Sequence, residues 1–323
     1  MIVRAASAQD AAGIVGLQKA ANPYGDWYRN PLQRLGPASY EDLTPLERYL
    51  HGGFGMDLSL FRRHLYELER RGFPVLVAEE GGRIVGECET WLDEEPEPFG
   101  RYAEVARLAS GSPLNSAVER DLITRAAERA GKLGYRALDL SPRHSGGGSV
   151  ARDLGFERLW DTRTFAADVA RVPRPDEEFR TKFLTGDYAA LHGLLPLNHG
   201  EPARWRFETL TALWPAAQVA SLQDAQKLLA VTVMPEKTPS FAVLAVRREW
   251  LDPAVAEIDV WLEPRNLKME RTIAAMFRIA VEVARKLGTR RVETYAPPPA
   301  SKALKGLGFS GGGTEDPWLR WRF

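Results

Sequence analysis

The chain is short of thiols: Cys88 is its one cysteine. That excludes an internal disulfide framework and any zinc site built on cysteine. Long apolar runs are missing too, and no stretch approaches the roughly 18 residues a spanning helix needs. Near the amino end, Gln9 and Asp10 interrupt any signal-peptide apolar core. There is no excess of either charge: 43 basic and 43 acidic residues leave a formal net charge of zero. A balance this even provides no long-range field for steering onto nucleic acid or an anionic membrane. The histidines His51, His64, His144, His192 and His199 show no HExxH or other close metal spacing. No GxSxG elbow supports Ser-His-Asp hydrolysis. These absences predict a soluble, cytoplasmic protein without a metal.

What is present is repetition. At about 150 residues per domain, 323 residues predict two domains. The pentapeptide AGKLG at 130–134 recurs as ARKLG at 284–288, an offset of 154. Leu154, Gly155 and Phe156 recur as Leu307, Gly308 and Phe309, and Ala103, Glu104 and Val105 as Ala256, Glu257 and Ile258, both at an offset of 153. Three matches in the same order at nearly one offset predict a duplicated domain, over 1–172 and 173–323. In the first copy, 103–109 reads as a strand. A helix over 117–132 follows, because Leu122, Ile123, Ala126, Ala127 and Ala130 fall on one helical face, and Gly134 ends it. A strand at 136–140, a short helix at 149–154 and a last strand pair ending near Val169 complete the copy. The second copy repeats the order with a strand at 257–262, a helix at 272–286, a strand at 290–294, a helix at 301–307 and a strand at 318–323. Upstream, 74–88 reads as a hairpin turning at Gly81 and Gly82, and 228–246 as its partner. The linker is 171–178, stiffened by Pro173 and Pro175.

This order resembles the GNAT family of acyl-CoA-dependent N-acyltransferases. VAEEGGRIVGE (77–87) resembles the family's second and third strands, and LGYRALDL (133–140) with ARDLGF (151–156) resembles its fifth strand and the helix ending in Gly-Phe. KLGTRRVET (286–294) and ALKGLGF (303–309) give the same pair in the second copy. The fold class this implies is α/β (α+β): two tandem GNAT-like domains, each a central mixed β-sheet flanked by helices. The resemblance implies transfer of an acyl group, most simply acetyl from acetyl-CoA, to an amine acceptor. It also implies that the fourth and fifth strands splay and that the pantetheine arm lies between them. The alternative is a non-catalytic tandem module that binds CoA, another small ligand or a protein partner through the inherited cleft. Assembly into an oligomer is compatible with either.

Family members hold the cofactor pyrophosphate on a glycine-rich R/Q-x-x-G-x-G/A loop at a helix start, where free N–H groups favour anions. The equivalent stretch in the first copy is Leu114, Asn115, Ser116, Ala117, Val118 and Glu119. Glu119 stands where a glycine is usual and brings negative charge toward phosphate. In the second copy Lys268 and Arg271 supply cations, but the stretch has no glycine. Residues implied to bind the cofactor are therefore Leu108, Ala109, Asn115, Ser116, Ala117, Val118 and Glu119 in the first copy, with Leu262, Lys268 and Arg271 in the second. The family's general base is often a glutamate on the fourth strand, which points to Glu104 and Glu257, with Asp259 beside the latter. The family tyrosine that acts as acid is replaced by Ala151 and Leu304; Tyr295 is the outside candidate.

Other features carry structural and functional readings side by side. Gly146, Gly147 and Gly148, after Arg143 and His144, read as a flexible connection or a phosphate cradle; Pro297, Pro298 and Pro299 at the matching place offer no amide donors. Tyr24, Trp27 and Tyr28 read as packing aromatics or the wall of an acceptor pocket. Asp93, Glu94, Glu95 and Glu97 read as a solvated acidic loop or a lure for a cationic amine. Cys88 reads as a buried small hydrophobe, and Trp318 and Trp321 as core or domain-interface packing.

Overall fold

The computed structural model describes residues 1–111, 116–140, 148–184, 191–197, 203–210, 226–235, 238–249, 251–311 and 316–323. The first half runs β1 (Ile2–Ala5), α1 (Ala11–Ala20), a small hairpin of β2 (Tyr28–Asn30) and β3 (Leu35–Pro37), α2 (Pro45–Leu50) and α3 (Leu58–Arg70). Then come β4 (Val75–Glu80), β5 (Arg83–Glu95), β6 (Gly100–Ser110), α4 (Ser116–Lys132), β7 (Ala137–Leu140), α5 (Gly148–Asp153) and β8 (Glu157–Asp168). The second half has β9 (Phe179–Phe183), β10 (Leu195–Pro196), α6 (Ala203–Leu210), β11 (Gln226–Val233), β12 (Ser240–Arg248) and β13 (Val255–Leu262). It ends α7 (Glu270–Lys286), β14 (Arg291–Ala296), α8 (Pro298–Gly306), β15 (Ser310–Gly311) and β16 (Asp316–Arg322).

The two hairpins form where the sequence places them. β4 and β5 turn at Gly81 and Gly82, both at positive φ (55° and 79°), which a type I′ turn demands at both central positions. β11 pairs with β12 over its whole length. α4 and α7 each bury one apolar stripe on the sheet, with Leu122, Ile123, Ala126 and Ala130 in the first and Ile273, Phe277, Ala280 and Ala284 in the second. α1 and α3 cover the opposite face of the first half's sheet, where Ile14, Phe61, Leu65 and Leu68 pack on Val75, Val77 and Trp91.

All the large strands join one mixed sheet in the order β1-β4-β5-β6-β7-β16-β8-β14-β13-β12-β11-β9. The middle of this order is an exchange. β16, at the carboxyl end, lies between β7 and β8 of the first half. In return β8 runs on past Thr162, and its last residues lie between β14 and β15 of the second half. The strand pair expected up to Val169 is thus a single strand of 12 residues that serves both halves. Trp318 is 1% exposed and packs with Phe99, Tyr102 and Leu195 in a core shared between the halves. The linker is clamped rather than free: Arg285 donates to the Val169 and Val172 carbonyls (2.7 and 3.1 Å), and Arg278 pairs with Glu177. Among the described residues no helix is long and apolar enough to cross a membrane.

Candidate functional site: two strand wedges

Each half has a place where two parallel central strands part. In the first, β6 pairs with β7 only at Ala103–Leu138, Glu104–Asp139 and Val105–Leu140. β6 continues five residues further with no strand neighbour on that edge among the described residues. The cause of the parting is visible on the other edge. Glu89 of β5 faces Arg107 and Thr90 faces Val105, so Ala106 is an extra residue. Such a bulge bends its strand and breaks the ladder locally, and here it falls where pairing to β7 ends.

In the second half β13 pairs with β14 only from Val255 to Glu257. The pairing of β13 with β12 runs without a register break, so this strand carries no bulge. Its free edge is also taken. Leu195 and Pro196 pair with Leu262 and Trp261, and the Leu197 amide donates to the Val260 carbonyl at 2.8 Å. Thr294 Oγ1 closes the base of the opening on the Ile258 carbonyl at 2.8 Å. Leu195 and Leu197 are fully buried. The chain's own backbone fills this wedge.

The residues singled out in the sequence fall around the two openings. Leu108 and Ala109 lie on the unpaired part of β6, both buried. Ser116 and Ala117 are exposed on the first turn of α4, whereas Val118 turns under the helix. Asn115 lies outside the described residues, as do Arg143, His144, Gly146 and Gly147. Glu119 does not reach toward the opening: it is 3% exposed and accepts from Ser110 Oγ at 3.0 Å. Its negative charge is thereby turned into the strand end. Gly86 makes this close packing possible, since a Cβ there would lie 2.5 Å from Val118 Cγ1 and 2.9 Å from Leu122 Cδ1.

Glu104 is fully buried on β6, between Trp91 of β5 and Asp139 of β7 in register. Asp139 in turn receives two bonds from the Arg320 guanidinium (2.7 and 2.6 Å) and one from Trp318 Nε1 (2.7 Å). Glu257 sits differently. Arg206 and Arg247 both bond it, and burial notwithstanding, these two guanidiniums hold its carboxyl well below the usual range. A group so held does not take up a proton near neutrality. Asp259, beside it, is pushed up to about 6 by burial and by the Glu257 charge, against the pull of Arg206. Tyr295 is half-buried on β14 opposite Thr164 of β8. Leu262 is held between β12 and β10, while Lys268 and Arg271 are exposed.

The expectation about the acidic residues needs revising, while the aromatic residues pack as one of their two readings had it. Asp93 and Glu95 are not a solvated loop but buried residues of β5, each 6% exposed. They cap α6 of the second half: Glu95 accepts from the Ala203 amide and Asp93 from the Arg204 amide, both at 3.1 Å. Negative charge at a helix amino end is favourable, so this cap ties the halves together. Tyr24 and Trp27 pack around the fully buried His51, with ring centroids 5.5 and 4.7 Å away, and the Tyr28 amide lies 3.1 Å from His51 Nε2. Cys88 is buried as read, and burial raises its thiol.

The sequence reading missed Glu87. It is fully buried on β5, paired with Ala109 in register, and faces α1. Oε2 accepts from Gln18 Nε2 at 2.8 Å, while Oε1 has no partner. Burial pushes this carboxyl up to about 7; Arg107 opposes the rise and Glu89 adds to it. The folded value lies above the unfolded one, so the native state binds the proton more tightly. The stability this group contributes is complete below about pH 4.5 and lost as pH rises through 7. Glu87→Gln is therefore expected to raise stability at pH 8 by on the order of 2–3 kcal/mol and to flatten the urea midpoint between pH 5 and 8. A midpoint at pH 8 that drops in the variant contradicts this.

No protein-family model matches the chain, and no curated protein matches it. Solved structures do. A GCN5-related N-acetyltransferase from Kribbella flavida is 11% identical and matches 99% of this chain and 70% of its own, with a TM-score of 0.55. One from Anabaena variabilis ATCC 29413 is 10% identical over 99% of this chain and 72% of its own, also at 0.55. Both cover the two halves and the exchanged strands within one chain, and the protein accordingly has the fold of the GCN5-related N-acetyltransferases.

Proposed function

We propose that the protein is an acyl-CoA-dependent N-acyltransferase, with acetyl-CoA as the simplest donor, a primary amine as acceptor and the donor held by the first half alone. One contrast carries this reading: the wedge between β6 and β7 is opened by a bulge, whereas the wedge between β13 and β14 is filled by Leu195, Pro196 and Leu197. The residues of the first half fit an acyl-CoA. The unpaired edge of β6 around Leu108 and Ala109 offers backbone partners for an amide-bearing arm. The amino end of α4, with Ser116 and Ala117 exposed on its first turn, suits a pyrophosphate because the helix dipole favours anions there. Glu119 turns its carboxyl onto Ser110 Oγ, away from that place. The second half keeps two cations in Lys268 and Arg271, but among the described residues the edge of β13 that would take the arm is occupied by 195–197.

Acyl transfer needs three things from the protein: a positioned thioester carbonyl, a neutral amine and a donor for the developing oxyanion. A backbone amide of the bulged strand supplies the last. An ammonium group gives up its proton before attack, and a buried carboxyl poised near neutrality suits that task. Of the carboxylates bordering the first wedge, Glu104 stands one residue before the last β6 position paired to β7, and Glu87 lies opposite Ala109 in the stretch beyond it. The second half and the segment 169–178 act as scaffold in this reading. With acetyl-CoA and a panel of primary amines, the protein is expected to release free thiol at a rate that depends on the amine and rises with pH between 6 and 8. Donor binding without amine-dependent thiol release would favour the alternative, a module that binds CoA and transfers nothing.

A further inference from the structure

On the same face of the sheet as Glu87 lies a second unsatisfied group. Arg107 Nη1, on β6 one residue past the bulge, is shut off from solvent and has no hydrogen-bond partner. Its guanidinium lies 5.9 Å from the Phe61 ring centroid, beneath the segment Gly52, Gly53, Phe54, Gly55 and Met56. The glycine at 55 is required by that contact: a Cβ would come 2.5 Å from Arg107 Nη1 and 2.9 Å from Gln18 Cγ. Gly53, at φ 83°, lets the segment turn over the guanidinium. The neighbouring Glu89 accepts from His64 Nε2 (2.8 Å) and Trp91 Nε1 (2.6 Å) and makes no hydrogen bond to Arg107 Nη1. Burial pulls His64 below its ordinary value, so it donates to Glu89 as a neutral ring.

An orphaned buried donor and an orphaned buried acceptor each carry a desolvation cost, larger for charged groups. Here they lie on one face of β5 and β6, each close enough for the Arg107 charge to act on Glu87. A ligand that brings N–H groups for Glu87 Oε1 and a carboxylate for Arg107 Nη1 satisfies both with charge-matched partners. Resting on the acyltransferase reading above, we infer that the acceptor is an amine bearing a nearby carboxylate, of the α-amino acid class. Its ammonium is bound by Glu87, its carboxylate by Arg107, and the glycine-rich segment 52–56 folds over it. The groups facing this site are Gln18 from α1, His64 from α3, Glu89 from β5 and Arg107 from β6.

The test is calorimetric titration of the whole chain, preloaded with CoA, against the proteinogenic L-amino acids singly and against their decarboxylated amines. At least one amino acid is expected to bind saturably, with its decarboxylated counterpart weaker by roughly 30-fold or more, the cost of leaving one buried charge unpaired. Arg107→Met should abolish that difference, and Arg107→Lys should restore part of it; Glu87→Gln should lose both ligands. Equal affinity for amine and amino acid, or no amino acid bound by a protein that does bind CoA, overturns the inference and leaves the acyltransferase reading standing. A protein that binds amino acids but no CoA overturns that reading instead. Melting curves of the variants separate lost recognition from lost folding, and Gly55→Ala offers an independent check, since it should weaken amino acid binding without touching either charge.

Discussion

Truncation before Asp316 is expected to unfold the first half of the protein as well as the second. β16 supplies the only strand neighbour of β7 on its outer edge among the described residues, and it also joins β8. Removing it takes away Trp318 from the shared core and strips Asp139 of the Trp318 and Arg320 donors. Asp139 is fully buried and the Arg320 side chain 5% exposed. Breaking a buried pair by removing one partner costs about 3–5 kcal/mol, because the other charge is left in a low-dielectric interior. Arg320→Met alone should therefore lower stability by about that much, read from the urea midpoint. Arg320→Lys should recover less than half, since a lysine cannot reproduce the two-pronged contact. For the same reason a fragment of residues 1–172 is expected to stay unfolded unless a peptide spanning 316–323 is supplied. A fragment that folds cooperatively without the peptide contradicts the exchange of strands.

The second large effect concerns the donor. Gly86 is the point at which α4 rests on β5, and a valine there drives its side chain into Val118 and Leu122. Overpacking of this kind costs about 1–3 kcal/mol, and the strain falls on the first turn of α4, which borders the wedge. Affinity for acetyl-CoA is expected to fall at least tenfold while the second half keeps its packing. The matched substitution of Lys268 and Arg271 by alanine, at exposed positions of the other half, should leave affinity unchanged. The two results together distinguish a one-site protein from one in which each half binds its own donor.

How far these features were legible in the sequence follows from what each depends on. α4 and α7 could be read because helical periodicity is local, and so could the hairpin at Gly81 and Gly82, where the turn demands positive φ. The exchange of β8 and β16 could not, because Trp318 and Arg320 alternate as any closing strand does, and which edge they join is decided by tertiary packing. The same holds for Leu195 and Leu197, whose short apolar stretch gives no sign of filling a wedge. Glu104 and Ala109 were placed beside the opening by resemblance. Glu87, Asp93 and Glu95 were passed over or read as solvated, since a strand of alternating acids looks exposed until α1 and α6 are seen to cover it. The bulge at Ala106 leaves no mark in composition at all, yet it decides which wedge is open.

The account turns on a single open wedge, and the number of donor molecules bound tests that directly. Titration of the whole chain with acetyl-CoA is predicted to saturate at one equivalent, with the heat lost in Gly86→Val and retained in the Lys268→Ala, Arg271→Ala pair. Two equivalents, or binding that survives Gly86→Val and disappears with the second-half pair, would place the donor where Leu195, Pro196 and Leu197 now lie and would contradict the account.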